Sequence, residues 1–160
     1  MEDIYHPVLN NNSIFKIYQS KNESFLYSVL AAIYSKTIDR RLFHLPNAYI
    51  KYKKKLNLEN ISFPMKNKNI KVFLQNNPKL NLRIRLFDSI IVSNKDMRIY
   101  ETKIIGNGKI TVNLLFHKTY KDKKTFYHYF WIKNINNIKN TIKNILFVSF
   151  VMKNIAPVKH

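Results

Sequence analysis

Residues 22–36, NESFLYSVLAAIYSK, decide how the first half of the chain folds. Leu26 and Leu30 stand four residues apart on one helix face, and the alanines that follow favour helix and permit close packing. Asn22 or Ser24 is expected to cap the N-terminus, because both side chains can accept a hydrogen bond from a first-turn N–H. The stretch therefore predicts an amphipathic helix.

Two shorter helices are expected further along. Residues 46–58, PNAYIKYKKKLNL, open with a proline, which is favoured in the first helical turn. One or two more turns are predicted to end before Pro78, because the residue before a proline disfavours helical geometry.

Alternation of apolar and polar residues predicts strands in the second half of the chain. The expected strands are residues 80–87, 96–105, 109–117 and 125–133, preceded by a short strand or extended lead-in at residues 13–20. Gly106 to Gly108 is a tight-turn signal between two of them. Helices followed by an antiparallel meander indicate the α+β class.

The length of 160 residues suggests one domain, and a hydrophobic content of 46% suffices for a core. The expected organisation is a polar, Asn-rich arm at residues 1–13, an α+β domain at residues 14–140 and a tail at residues 141–160. No internal repeat or linker is evident.

The charge balance is strongly basic, with 28 Lys and Arg against 9 Asp and Glu and a formal net charge of +19. Such a chain attracts polyanions, so DNA or RNA is the first expected partner and an acidic membrane surface the second. The basic run Lys51, Lys53, Lys54 and Lys55 is a candidate phosphate contact, although such runs are also typical of solvated helix faces. An AT-rich coding sequence would also enrich lysine.

Several functions are excluded or disfavoured by composition. The chain has no cysteine, which excludes disulfides, a cysteine nucleophile and Cys-based zinc sites. Its five histidines show no paired spacing, so neither a metal nor another cofactor is expected. The N-terminus lacks a signal-peptide pattern, and the apolar run at residues 145–152 is shorter than the roughly 20 residues that span a bilayer. These features predict an intracellular protein of nucleus or cytoplasm without a membrane span.

Three residues are candidates for nucleophilic catalysis. Ser24 stands at a helix start, His128 lies in the last predicted strand, and Asn134 follows that strand. Taken singly, they also suit a helix cap, a packed strand residue and a second cap. Taken together, a nucleophile on an early helix with His and Asn on late strands is the layout of papain-like hydrolases. Asn22 is a candidate oxyanion-hole donor.

Four blocks of the chain resemble one known family. They are NESFLYSVLAAIY at residues 22–34, YIKYKKKLNLENISFP at residues 49–64, NIKVFLQNNPKLNLRIRLF at residues 69–87 and HYFWIKNINNI at residues 128–138. In this order they resemble the conserved segment of Maverick/Polinton-type mobile elements and related large DNA viruses. In those elements the segment commonly precedes a zinc knuckle and a protein-primed family B DNA polymerase.

The resemblance implies a papain- or OTU-like peptidase fold and an ancestral peptide substrate. Ser24 would stand at the cysteine of the family, with His128 and Asn134 at its base and orienting group. Serine lacks a reactive thiolate, so the resemblance implies a degenerate, inactive site. The alternatives are a basic nucleic-acid-binding accessory module of a transposon or viral polymerase polyprotein, and a still-active serine hydrolase. The tail at residues 141–160 has no cysteine and would replace the zinc knuckle.

Overall fold

The computed structural model describes residues 13–18, 21–91, 93 and 97–138, and the structural statements that follow concern this part of the chain. The predicted tail, the apolar run within it and all but the last residue of the predicted arm lie outside the described residues.

Three short helices precede most of the sheet, so the α+β class is confirmed. Helix α1 spans Ser24–Tyr34, α2 spans Ile50–Lys53 after a 3₁₀ turn at Pro46–Tyr49, and α3 spans Ile70–Asn76. Proline opens the segment that leads into α2, and the third helix ends before Pro78, as expected from the geometry of proline.

Helix α1 is more deeply buried than an amphipathic helix. All residues from Ser24 to Ala31 are buried, and only the last turn is partly exposed. The first two turns are enclosed on one side by the sheet and on the other by the segment that contains α2. Helix α1 is therefore the centre of the domain rather than a surface helix.

The sheet has five strands in the order β1-β5-β4-β2-β3. Their bounds are β1 Ile14–Phe15, β2 Leu82–Ile91, β3 Met97–Ile105, β4 Ile110–Lys121 and β5 Lys124–Ile132. The predicted strands are all present, with β2 and β4 extending several residues beyond their expected ends.

The predicted antiparallel meander is wrong in one connection. Strands β2 and β4 are parallel neighbours, with Leu82 opposite Ile110 and Leu86 opposite Leu114, so the sheet is mixed. Strands β3 and β4 are not adjacent, because β2 lies between them. The loop at residues 106–109 is therefore a crossing over the start of β2 and not a hairpin turn.

The only two glycines of the chain make this crossing possible. Gly106 has a φ of +83°, and a Cβ on Gly108 would overlap the carbonyl group of Asn81. The Gly108 N–H donates to Leu82 O at 3.1 Å, and the Ile110 N–H donates to Asn81 O at 2.9 Å. The loop runs against the backbone at the start of β2, where no side chain fits.

The sheet separates two apolar clusters. The face towards the helices packs on α1 and α3, and its sheet members include Ile84, Leu86, Leu114 and Tyr129. The other face carries Phe87, Ile99, Leu115, Phe130 and Ile132. The alternation predicted for residues 125–133 is thus confirmed, with Tyr129 on one face and Phe130 on the other.

Replacing Gly108 should disrupt the crossing. We expect Gly108→Ala to lower the free energy of unfolding by about 3 kcal/mol, the upper end of ordinary single substitutions, because its Cβ overlaps the backbone of Asn81. Asn107→Ala, at the exposed residue between the two glycines, is the control and should change stability little. Chemical denaturation measures both, and equal stability of the two variants would contradict the crossing.

Candidate functional site

Ser24 lies buried at the start of α1, against the middle of β5. Its Oγ accepts a hydrogen bond from the backbone N–H of Tyr129 at 2.9 Å, and only 3% of the residue is exposed. The expected capping role is wrong for Asn22 and Ser24, because Glu23 occupies the cap position and no side-chain capping bond forms. The Ser24 hydroxyl instead joins the helix to the sheet.

His128 belongs to the opposite face of the sheet. Its ring packs against the ring of Phe130 with centroids 4.4 Å apart, and Phe130 lies in the cluster on the face away from α1. Tyr129, the residue between these two in the strand, faces α1, since successive side chains of a strand alternate. The structure therefore does not bring the His128 imidazole to Ser24, although their backbones lie close.

The two asparagines are in turns. Asn134 Oδ1 accepts a hydrogen bond from the N–H of Asn136 at 3.1 Å, at the start of the 3₁₀ turn Ile135–Ile138. This contact matches the capping alternative for Asn134. Asn22 is exposed in the 3₁₀ turn Lys21–Glu23 that precedes α1. Asn134 therefore caps a turn, and Asn22 occupies an exposed position in another turn.

A cysteine at the position of Ser24 should be unreactive. We expect Ser24→Cys to react with a thiol-directed probe more slowly than Ser62→Cys, an exposed reference, because burial at position 24 shields the thiol from the probe. His128→Ala in the Ser24→Cys background should leave the labelling rate unchanged. Faster labelling of Ser24→Cys that is lost with His128→Ala would contradict this geometry and support a surviving peptidase site.

The predicted basic run on α2 is partly neutralised. Lys53 Nζ pairs with Glu23 at 2.8 Å and lies over the ring of Tyr27, and the hydrogen bond to Glu23 raises its pKa. Lys51, Lys54 and Lys55 are exposed. Three of the four predicted phosphate contacts thus remain accessible, while Lys53 holds α2 to the turn before α1.

Another basic surface lies beside the crossing at residues 106–108. A groove of about 740 Å³ lies between α3 and the neighbouring ends of β2 and β3. Its described lining includes Lys68, Lys71 and Lys103, and no acidic residue; amide side chains also line it, at Asn67, Gln75, Asn77, Asn81 and Asn107. We call this the basic groove.

The charge of the basic groove is not compensated by an ion pair within the described residues. The ion pairs described there are Arg41–Asp39, Lys53–Glu23 and Arg85–Glu101, and none involves a lysine of the groove. Three ammonium groups and several amide donors in one concave surface provide positive potential and hydrogen bonds for anionic groups such as phosphates.

A second basic surface is the outer part of the β4–β5 hairpin. Strand β2 pairs with β4 only as far as Phe116, and β1 pairs with β5 only at Trp131 and Ile132, so residues 118–127 continue as a two-stranded hairpin beyond the last pair of β2 with β4. This projecting hairpin carries four lysines and one aspartate. Asp122 and Lys123 close it with φ values of 52° and 63°.

Aromatic rings accompany these lysines. Tyr120 is 72% exposed and Tyr127 is 40% exposed. Tyr127 stacks on Phe116, with ring centroids 5.4 Å apart and planes 7° from parallel. Lys118 Nζ lies 5.8 Å from the centroid of Tyr127 and 5.9 Å from that of Phe116. The combination of exposed rings and lysines is typical of surfaces that bind nucleic acid.

Asp88 lies beside this surface, on β2 opposite Phe116. Burial raises the pKa of the Asp88 carboxyl, and the charge of Lys118 offsets part of that increase. Burial, together with the negative charge of Asp88, raises the pKa of Tyr100 and Tyr129. Ionisation of Asp88 therefore costs more free energy in the folded state than in the unfolded chain.

Neutralising Asp88 should stabilise the fold in a pH-dependent way. Its folded pKa is raised, so its contribution to stability is full below the ordinary value of about 4 and is lost as the pH rises through the folded value. We expect Asp88→Asn to raise the Tm at about pH 7 and to have little effect at about pH 3.

Asp122→Asn is the matched control for Asp88→Asn, because it removes the same charge from an exposed turn. Both variants increase the net positive charge by one, so any difference between their melting curves reports the burial of Asp88. Equal Tm changes for the two variants across the pH range would contradict a raised pKa.

The basic groove and the lysines of the projecting hairpin were not predicted from the sequence, for different reasons. The groove lysines come from separate segments that meet only in the fold, and no local pattern links Lys68, Lys71 and Lys103. The hairpin offered a signal, because alternation continues from residues 109–117 and places Lys118 and Tyr120 on one face. Its turn lacks glycine, the residue that most often marks such turns.

Comparison of the chain with protein-family models, with curated proteins and with solved structures finds no match in any of the three. No helix among the described residues is long and apolar enough to cross a membrane. In the same part of the chain, no three His, Cys, Asp or Glu side chains gather as a metal site requires.

Proposed function

We propose that this protein is a non-catalytic nucleic-acid-binding module that contacts phosphates through the basic groove. The observation that carries the proposal is the convergence of Lys68, Lys71 and Lys103 on one concave surface whose described lining contains no acid. The net charge of +19 supports it, because the whole chain attracts polyanions.

Nucleic acid fits this surface better than a single small anion. The groove has a volume of about 740 Å³, and its three lysines lie among the exposed amides of Gln75, Asn81 and Asn107, which can donate to phosphate oxygens. Contacts of this kind position a backbone without reading its sequence, so the proposal predicts affinity with little sequence preference.

The non-catalytic part of the proposal rests on the position of Ser24. Its hydroxyl bonds the backbone of Tyr129, and His128 packs on the other face of the sheet. The resemblance to the Maverick/Polinton segment gives this arrangement an origin. A helix start held against the histidine strand is what a papain-like ancestor would leave after losing its cysteine.

The same resemblance suggests where such a module acts. In those mobile elements the segment precedes a protein-primed DNA polymerase, so we propose an accessory role in binding the nucleic acid handled by a transposon or viral polymerase. The ancestral peptide substrate has no place in this function.

Salt-dependent binding tests the proposal. The affinity of the wild-type protein for oligonucleotides should fall steeply between low and physiological salt. Replacing Lys68, Lys71 and Lys103 together with Gln should weaken binding and reduce the slope of log K against log salt by about 2, at about 0.7 per phosphate contact for single strands. Fluorescence anisotropy measures both quantities.

A matched triple variant at α2 and the turn after it is the control. Replacing Lys51, Lys54 and Lys55 with Gln removes the same charge from exposed positions outside the groove. A larger loss from the groove variant supports the proposal, whereas a larger loss from the α2 variant would move the interface to α2. Equal losses would mean that net charge alone drives binding. Wild-type affinity that does not change with salt would contradict nucleic-acid binding altogether.

A further inference from the structure

We propose that the projecting hairpin binds single-stranded nucleic acid by stacking bases on Tyr120 and Tyr127, with Lys118 of the same face contacting phosphate. This inference rests on the proposed function and adds the kind of nucleic acid and a second contact site. It concerns the face of the hairpin that continues the helix-packed face of the sheet.

The register of the hairpin places these three side chains together. Lys118 lies directly opposite Tyr127, and Tyr120 lies opposite Thr125. Tyr120 and Lys118 are two residues apart on β4, so they share a face, and Tyr127 shares it because directly opposed residues point the same way. Tyr120 and Tyr127 are therefore diagonal neighbours about 7 to 8 Å apart, with their Cβ atoms slightly closer.

That separation favours a single strand over a duplex. Bases of a duplex repeat every 3.4 Å or so and stack on one another, which leaves no base face for a protein ring. An extended single strand can offer consecutive bases at roughly twice that spacing. Each exposed ring can then accept one base, and Lys118, which lies beside the Tyr127 ring, can contact the phosphate that connects the two bases.

The exposure of the rings supports a binding role over a structural one. Tyr129, the next residue of this face on β5, is 2% exposed and bonds Met65 O through its hydroxyl at 2.9 Å. Tyr120 is 72% exposed. The exposure of the aromatic rings on this face therefore increases along the hairpin. Tyr129 belongs to the core, Tyr127 is partly covered, and Tyr120 is largely open to solvent.

Charge indicates the chemistry of the occupant. The projecting hairpin has lysines at positions 118, 121, 123 and 124 against Asp122 alone. A second copy of this chain would bring like charges together, which opposes docking of the hairpin on itself. A polyanion with flat, apolar groups matches both the lysines and the rings, and single-stranded nucleic acid has both features.

The opposite face of the hairpin supplies a matched control. Phe126 is 44% exposed, similar to Tyr127, and neighbours it on β5, but its side chain points to the other face. Substitution of Phe126 removes an exposed ring of similar size from the same strand. The Phe126 and Tyr127 substitutions differ mainly in the face of the hairpin that loses a ring. Their comparison therefore tests the proposed stacking face and not the number of exposed aromatic rings.

The experiment measures the affinity of the full chain for an oligothymidine of about 20 nucleotides and for a duplex of the same length. We expect Tyr120→Val and Tyr127→Val each to weaken single-strand binding about tenfold and to leave duplex binding nearly unchanged. Tyr120→Phe and Tyr127→Phe should retain wild-type affinity, because stacking needs the ring and not the hydroxyl. Phe126→Val should have little effect.

The outcomes separate this inference from the proposed function. If Tyr120→Val and Phe126→Val both retain wild-type, salt-dependent affinity, the stacking site is overturned while the basic groove remains supported. Equal losses for single strand and duplex in Tyr120→Val would also overturn it. Because Tyr120 is largely exposed, its substitution is not expected to unfold the chain, and a melting curve of each variant checks this.

Discussion

The position of helix α1 depends on two serine hydroxyls that form hydrogen bonds with the backbone of one residue of β5. Ser24 Oγ accepts from the Tyr129 N–H at 2.9 Å, and Ser28 Oγ donates to the Tyr129 carbonyl at 3.0 Å. Strand β1 pairs with β5 only at Trp131 and Ile132, so it leaves the backbone of Tyr129 without a partner strand on that side. Helix α1 supplies the hydrogen bonds there instead. Each buried backbone group without a hydrogen-bond partner costs about 1 to 3 kcal/mol of stability, so these two hydrogen bonds remove a substantial cost. The spacing of four residues puts both hydroxyls on one helix face.

The papain-like hypothesis places the His128 imidazole beside a nucleophile at Ser24. In the fold, α1 does meet β5 at Ser24. The contact is made with the backbone of Tyr129, however, and strand alternation then sends His128 to the far side of the sheet. A shift of one residue along β5 would exchange the two faces and expose the core ring of Tyr129. That ring packs edge-on against Phe25 of α1, and this packing opposes a triad in this chain.

Local features of the fold were predictable from the sequence, and long-range pairings were not. Alternation in residues 125–133 correctly separated Tyr129 from Phe130, because side-chain direction in a strand depends only on neighbouring residues. The parallel pairing of β2 with β4 was missed. The two glycines of the crossing indicate that another backbone segment comes close, but the sequence does not show which segment it is. The start of α1 was found, but the hydroxyl of Ser24 bonds a residue 105 positions away. The candidate basic groove was out of reach for the same reason.

The placement of the two basic surfaces also limits how they can act. The basic groove borders the start of β4, and the hairpin turn follows its end, 12 residues later. At about 3.3 Å per residue the two lie some 35 to 40 Å apart, several times the Debye length of about 8 Å at physiological ionic strength. Their lysines therefore repel one another little, which helps a chain of net charge +19 to remain folded. The same distance means that a small anion can occupy only one of them. A ligand that uses both must be a polyanion long enough to follow the length of β4, and a flexible single strand meets that requirement at the lowest cost in bending.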